Sequence, residues 1–186
     1  GLGDVYKRQD QPYFIQVQLV SEDPSLDLEA LLHQPAYLDF GETGQGLHGQ
    51  VYAIGQDDPG TRLTLYHLTL APRLASLAHR CDQRVFQQRS VPQIIAAVLE
   101  QHGIFADAYA FELGPVVYPP RAFCVQYRES DLHFIQRLCE EEGIHYHFRH
   151  SAENHLLVFG DDQTVFRRLP VQRLSLIHIS EPTRPY

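Results

Sequence analysis

The stretch FCVQYRESDLHFIQRLCEEEGIHYHFRH, residues 123–150, packs a strand, a capped helix, a glycine stop and a second strand into one short span. Ser130 is placed to cap a helix, because its hydroxyl can accept an orphan backbone N–H of the first turn. Leu132, Ile135, Leu138 and Cys139 recur at three- and four-residue spacing with Phe134 beside them, so one helical stripe is apolar. Gly143 falls where the chain must turn left-handed to leave the helix. Beyond it Ile144, Tyr146 and Phe148 alternate with His145, His147 and Arg149, the period of a half-buried strand. A polar turn at 151–154 and the run Leu156-Leu157-Val158-Phe159 predict that this strand returns as a hairpin.

The first half of the chain reads mostly as strand. Residues 13–20 place Tyr13, Ile15, Val17 and Leu19 on one face, and a short helix follows near 27–32, closed by Pro35. Residues 36–40 and 47–54 flank a Gly-Glu-Thr-Gly-Gln-Gly turn and read as a hairpin. Asp57-Asp58-Pro59-Gly60 is a further turn before a long strand over 61–71. Closely spaced antiparallel strands with one helix suit a small barrel or a curled sheet. The period then changes. Leu74, Leu77, Ala78 and Cys81 predict one helix. Ser90 and Gln93 form a capping box for a second, with Ile94, Ile95, Val98 and Leu99 as its stripe and Gly103 as its stop. Residues 104–121, aromatic and punctuated by Pro and Gly, read as a connector. The fold class is therefore α+β and β-rich, with no internal repeat.

The two ends of the chain mirror each other at the codon level. Asp4-Val5-Tyr6-Lys7-Arg8-Gln9 can be written GAT GTG TAT AAG AGA CAG, whose reverse complement translates as Leu-Ser-Leu-Ile-His-Ile, residues 174–179. The sequence resembles a transposon-end sequencing adapter, so residues 1–9 and 174–186 are set aside as non-native. With no Met, the remainder is expected to be an internal fragment of a longer gene. Removing Lys7, Arg8 and Arg184 from 15 cationic residues, and Asp4 and Glu181 from 23 acidic ones, leaves 12 Arg, no Lys and 21 acids. An acidic balance without a basic cluster argues against nucleic-acid binding. No apolar run approaches the roughly 20 residues of a membrane span. Cys81, Cys124 and Cys139 lack Cys-x-x-Cys spacing and read as buried free thiols of a reducing compartment.

Few residues suggest chemistry. His145 and His147, two apart on a strand, face the same way, with His150 and His155 near the turn, and such spacing can hold a metal. The alternative is a polar, solvent- or subunit-facing strand surface. It is preferred, because no third protein ligand can be located. Glu140-Glu141-Glu142 could supply a general acid or base, but consecutive helix residues point about 100° apart and cannot converge on one substrate. Their place at a helix C-terminus is electrostatically unfavourable, which predicts a compensating partner: Arg128, Arg137 or an Arg of a neighbouring subunit. No nucleophile elbow, phosphate loop, dinucleotide fingerprint or His-Glu-x-x-His is present. Neither an enzyme nor a cofactor is expected.

The decisive stretch also resembles the N-terminal hub region of VgrG proteins, the trimeric spike of bacterial type VI secretion systems. The family's lead-in matches Cys124 to Glu129, with Tyr127, Arg128 and Glu129 as motif residues, and its helix exit matches Glu142, Gly143 and Ile144. Three further landmarks follow the family's order: Val20 to Pro24 with Leu28 to Leu32, Leu47 to Val51, and Val85 to Gln87 with Ser90 to Ile95. The resemblance implies a phage baseplate hub-like fold. Its parts are a small antiparallel barrel-like lobe over 10–72, a helical connector over 73–122 and the truncated start of a second α+β lobe over 123–173. It implies a homotrimer that docks on the Hcp tube within the spike and baseplate, carries effectors, and is assembled in the cytoplasm before translocation, without membrane anchoring. A hub of a contractile phage or prophage tail is the alternative. A small metal-dependent hydrolase using His145 and His147 is the distant one.

Overall fold

A computed structural model describes residues 10–41, 45–57 and 62–161, together with the backbone of Val5 and Tyr6. Residues 42–44 and 58–61, where turns were expected, and all of 162–186 lie outside the described residues.

Five antiparallel strands form the first sheet in the order β1-β2-β5-β4-β3: β1 (Val5–Tyr6), β2 (Phe14–Ser21), β3 (Pro35–Asp39), β4 (Gly46–Gln56) and β5 (Thr64–Ala71). Sheet alternation sends Ile15, Leu47, Val51 and Leu70 to one side, where they close with Tyr13 into a small core. A register shift between Val51 and Ala53 bends β4 and curls the sheet into a half-barrel. The single-turn helix α1 (Leu28–Leu31) starts where Asp27 accepts the Ala30 N–H at 3.1 Å.

The larger core belongs to the rest of the chain. It joins a 3₁₀ helix (Arg73–His79), α2 (Val91–Gln101) and α3 (Asp131–Glu142) to two further sheets. One is an antiparallel ribbon of β6 (Cys81–Arg89) and β8 (Arg121–Ser130). The other has the order β7-β10-β9, from β7 (Tyr109–Glu112), β9 (His145–His150) and β10 (His155–Gly160). The predicted stripe of α2 turns fully inward, and Ile94, Ile95, Val98 and Leu99 share one core with Ile135, Leu138 and Cys139 of α3 and the flanking Phe134, while Leu132 is only partly buried. Gln93 Oε1 accepts the Ser90 N–H at 2.9 Å, closing α2 from below. Gly143, at φ +68°, lets the Ile144 N–H reach back to the Cys139 carbonyl at 2.8 Å, so α3 ends in a left-handed cap.

Three local expectations differ. The helix expected from Leu74 to Cys81 is a 3₁₀ helix, whose three-residue turn suffices to bury Leu74 and Leu77, and Cys81 instead opens β6. Cys81 is exposed, so only Cys124 and Cys139 are the buried thiols that were expected. Within 104–121, Tyr109 to Glu112 pair in parallel with Leu157 to Gly160. The stretch 73–122 thus supplies two strands as well as helices.

Contacts join the two cores directly. Phe148 of β9 packs edge-on against Tyr13, ring centroids 5.0 Å apart. Asp10 ties the approach to β2 onto the second core: its carboxylate accepts the Tyr146 N–H at 2.9 Å and its carbonyl accepts Gln136 Nε2 at 2.8 Å.

Candidate functional site

The motif residues divide into those the fold uses and those it displays. Glu129 accepts Arg137 through two nitrogens, at 2.6 and 3.2 Å, and also meets His133 Nδ1 at 2.9 Å. The Arg137 hydrogen bonds hold its carboxyl below the usual glutamate range. Glu142 accepts Arg121 at 2.5 Å, and Ile144 is buried behind the Gly143 cap. These four motif positions act within the chain.

Tyr127 and Arg128 do not. Register shifts between Asp82 and Gln83, so Glu129 opposes Asp82 while Tyr127 opposes Gln83, and Arg128 is the extra residue of a bulge. Its backbone is left-handed, φ +52°, a conformation that favours glycine. The bulge turns the guanidinium over the Tyr127 ring, 5.4 Å from its centroid. Both side chains stand on the outer face of the β6–β8 ribbon with Val85, Phe123 and Val125, each of these apolar or aromatic side chains half or more exposed.

The acidic run at the end of α3 finds partners inside the chain. Arg121 reaches Glu141 at 2.7 Å and Glu142 at 2.5 Å, and Arg137 reaches Glu141 at 2.8 Å. Arg137 was among the expected partners. Arg121 was not, because it stands at the start of β8 and no sequence spacing brings it to the helix end.

The histidines collect where the two cores meet. His48 Nδ1 and His155 Nδ1 are 3.0 Å apart, the Arg73 N–H donates to His155 Nε2 at 3.2 Å, and the His48 N–H donates to His150 Nδ1 at 3.2 Å. These partners fix the tautomer. His155 Nε2 must keep its lone pair, so the neutral ring carries its proton on Nδ1 and donates to His48. Burial, reinforced by His48, His150 and Arg73, pushes the His155 pKa down to about 4. The His48 pKa is lowered by burial as well. His145 and His147 lie on β9 opposite Gly160 and Val158. Among the described residues, no group of three or more His, Cys, Asp or Glu side chains is placed to hold a metal ion.

One polar centre was missed altogether. Asp131, the first residue of α3, is fully buried and is gripped by Arg84 at 2.5 Å, Gln126 at 2.7 Å and His102 at 2.7 Å, with Arg80 Nε at 3.6 Å. Arg84 also donates to Gln126 at 2.8 Å. The network ties β6, β8, the end of α2 and the start of α3 together. The only sequence signal was an acid in the first helical turn, which does not distinguish a solvated carboxylate from a buried one.

A family model described as the phage tail baseplate hub (GPD) matches residues 9–181. The chain is 65% identical over 159 residues to the type VI secretion system spike protein VgrG4b of Pseudomonas aeruginosa and 61% identical over 159 residues to VgrG5 of the same organism. Each alignment covers 86% of this chain but 20% of the relative, so the chain spans about a fifth of their length. Among solved structures, the E. coli c3393 protein superposes with a TM-score of 0.81 at 28% identity, over 88% of this chain and 47% of the other. It is described as a type VI secretion component with structural similarity to the T4 bacteriophage tail proteins gp27 and gp5. The fold just described and a match across nearly its whole length agree: this chain belongs to the phage tail baseplate hub family.

Proposed function

We propose that this chain is the N-terminal hub portion of a type VI secretion spike protein. It assembles as a trimer, docks on the Hcp tube, and helps carry effectors out of the cell when the spike is expelled after cytoplasmic assembly. The observation that carries this reading is the 65% identity to a named spike protein over 159 residues of the chain. In this reading the first lobe ends near Pro72, and the residues after it, including 73–122, belong with the second lobe, because residues 74–159 share one core. The role is mechanical: sheet faces and edges meet partner subunits and bury area cooperatively. Tyr127, Arg128, Glu129, Glu142, Gly143 and Ile144 are structural residues of the hub in this reading, and the last four hold the second lobe in shape.

A contractile phage or prophage tail hub is the second reading, favoured by the match to the phage tail baseplate hub model over residues 9–181 and by the fold shared with tail proteins. The hydrolase reading on His145 and His147 has no observation in its favour. The test is a chimera in which residues 10–161 replace the matching region of P. aeruginosa VgrG4b. Secretion of the chimera into the medium at a level near that of the parent is expected. A chimera that accumulates folded in the cell and is never secreted would overturn the reading.

A further inference from the structure

The outer face of the β6–β8 ribbon groups four exposed apolar or aromatic side chains, Val85, Phe123, Val125 and Tyr127. Cross-strand pairs on that side are Val85 with Val125, Gln87 with Phe123 and Gln83 with Tyr127, so the face is apolar and amide without a carboxylate. Phe123 and Tyr127 are 67% and 61% exposed, and contiguous exposed apolar surface of this kind marks interaction sites. The ribbon has only two strands, and among the described residues both of its outer edges are unpaired. Arg128 adds a cation at one end. It is held there in a left-handed backbone at the cost of strain, and among the described residues it makes no ion pair. An exposed Arg held over an exposed Tyr suits a contact anchor, since Tyr and Arg dominate the energetics of protein interfaces.

The same chain carries the complement elsewhere. On the first lobe, residues 19–31 display Leu19, Val20 and Leu31 beside Glu22, Asp23, Asp27 and Glu29. None of these four carboxylates makes an ion pair among the described residues. One patch is apolar and cationic, the other apolar and anionic, and they lie on different sheets. Two different, complementary patches on one chain define a head-to-tail contact, which forms a ring where its rotation closes. Two copies of a chain with formal charge −8 also meet most favourably where one of the faces is free of acids.

We propose that the outer face of the β6–β8 ribbon, anchored by Tyr127 and Arg128, is a subunit-contact face that receives the acidic 19–31 segment of a second copy of this chain. The contact rests on the trimeric reading above and specifies which surfaces make it.

The test is sedimentation velocity of the 186-residue chain over a concentration series, beside three variants. Arg128→Gly relieves the left-handed backbone, so its urea midpoint is expected to rise while self-association weakens by roughly tenfold. Greater stability with weaker association cannot come from misfolding. Arg128→Glu is expected to abolish association, and Arg128→Glu combined with Glu22→Arg and Glu29→Arg to restore it. Association unmoved by the Arg128 variants would overturn the contact while leaving the trimeric reading intact. Loss without restoration would overturn the acidic segment as the occupant. A chain that stays monomeric at every concentration would overturn the contact, and the stoichiometry of the longer protein would then judge the trimeric reading separately.

Discussion

Replacing Asp131 by Ala removes the anion on which four elements converge. The carboxylate is fully buried and receives hydrogen bonds at 2.5 to 2.7 Å from Arg84, Gln126 and His102. Its loss takes the short carboxylate partner from the Arg84 guanidinium, whose side chain is only 15% exposed, and leaves it the more distant Asp82 carboxylate at 3.5 Å and the amide oxygens of Gln101 and Gln126. Truncating one partner of a buried, hydrogen-bonded charge costs about 3–5 kcal/mol, far more than a surface pair, because the remaining charge stays desolvated. Asp131→Asn keeps the shape but turns one acceptor into a donor facing other donors, and should cost about 1.5–3 kcal/mol. For an m value near 2 kcal/mol/M, the Ala variant should lower the urea midpoint on the order of 2 M. Removing Arg84 as well should cost less than the two losses added together, with a coupling of about 1–3 kcal/mol. An Ala variant that loses under about 1 kcal/mol, or a pair whose losses simply add, would refute the reasoning by showing that Arg84 and His102 find water when the carboxylate goes.

Acid should loosen the junction between the cores. His155 refuses a proton in the folded chain until about pH 4, whereas the unfolded chain takes it up near the ordinary histidine value of 6.5. Its contribution is therefore complete above about pH 6.5 and is lost as pH falls toward 4, by up to roughly 3 kcal/mol. The thermal midpoint of the parent should fall more steeply over that window than that of His155→Gln. Gly143→Ala should cost about 1 kcal/mol through backbone strain alone, since a Cβ there meets no neighbouring atom within 4 Å, and urea unfolding will measure it. A thiol reagent at pH 8 should label Cys81 quickly and Cys124 and Cys139 only after denaturation, because both are buried and burial pushes the Cys139 thiol up to about 12.

What the sequence made legible was local. The α3 cap at Ser130, its apolar stripe, the Gly143 exit and the hairpin of β9 and β10 are all written in neighbouring residues, and each is present: Ser130 accepts the His133 N–H at 3.1 Å, and His150 opposes His155. The β7–β10 pair was invisible because parallel partners lie far apart in the chain and the short Tyr109 to Glu112 strand has no turn to announce it. The bulge at Arg128 was equally hidden, since bulges usually advertise themselves with glycine and here the position is arginine. His48 illustrates the same limit. Its strand was foreseen, but its meeting with His155 depends on how the two cores pack. Among the motif residues, likeness to the family did not separate Glu129, which braces α3, from Tyr127, which faces outward.

The central claim, that this chain is the assembling hub of a spike, is tested most directly by the mass of the longer protein that carries it. Light scattering coupled to size exclusion should return three copies per particle at micromolar concentration. A well-folded longer protein that elutes as a single copy would contradict the account.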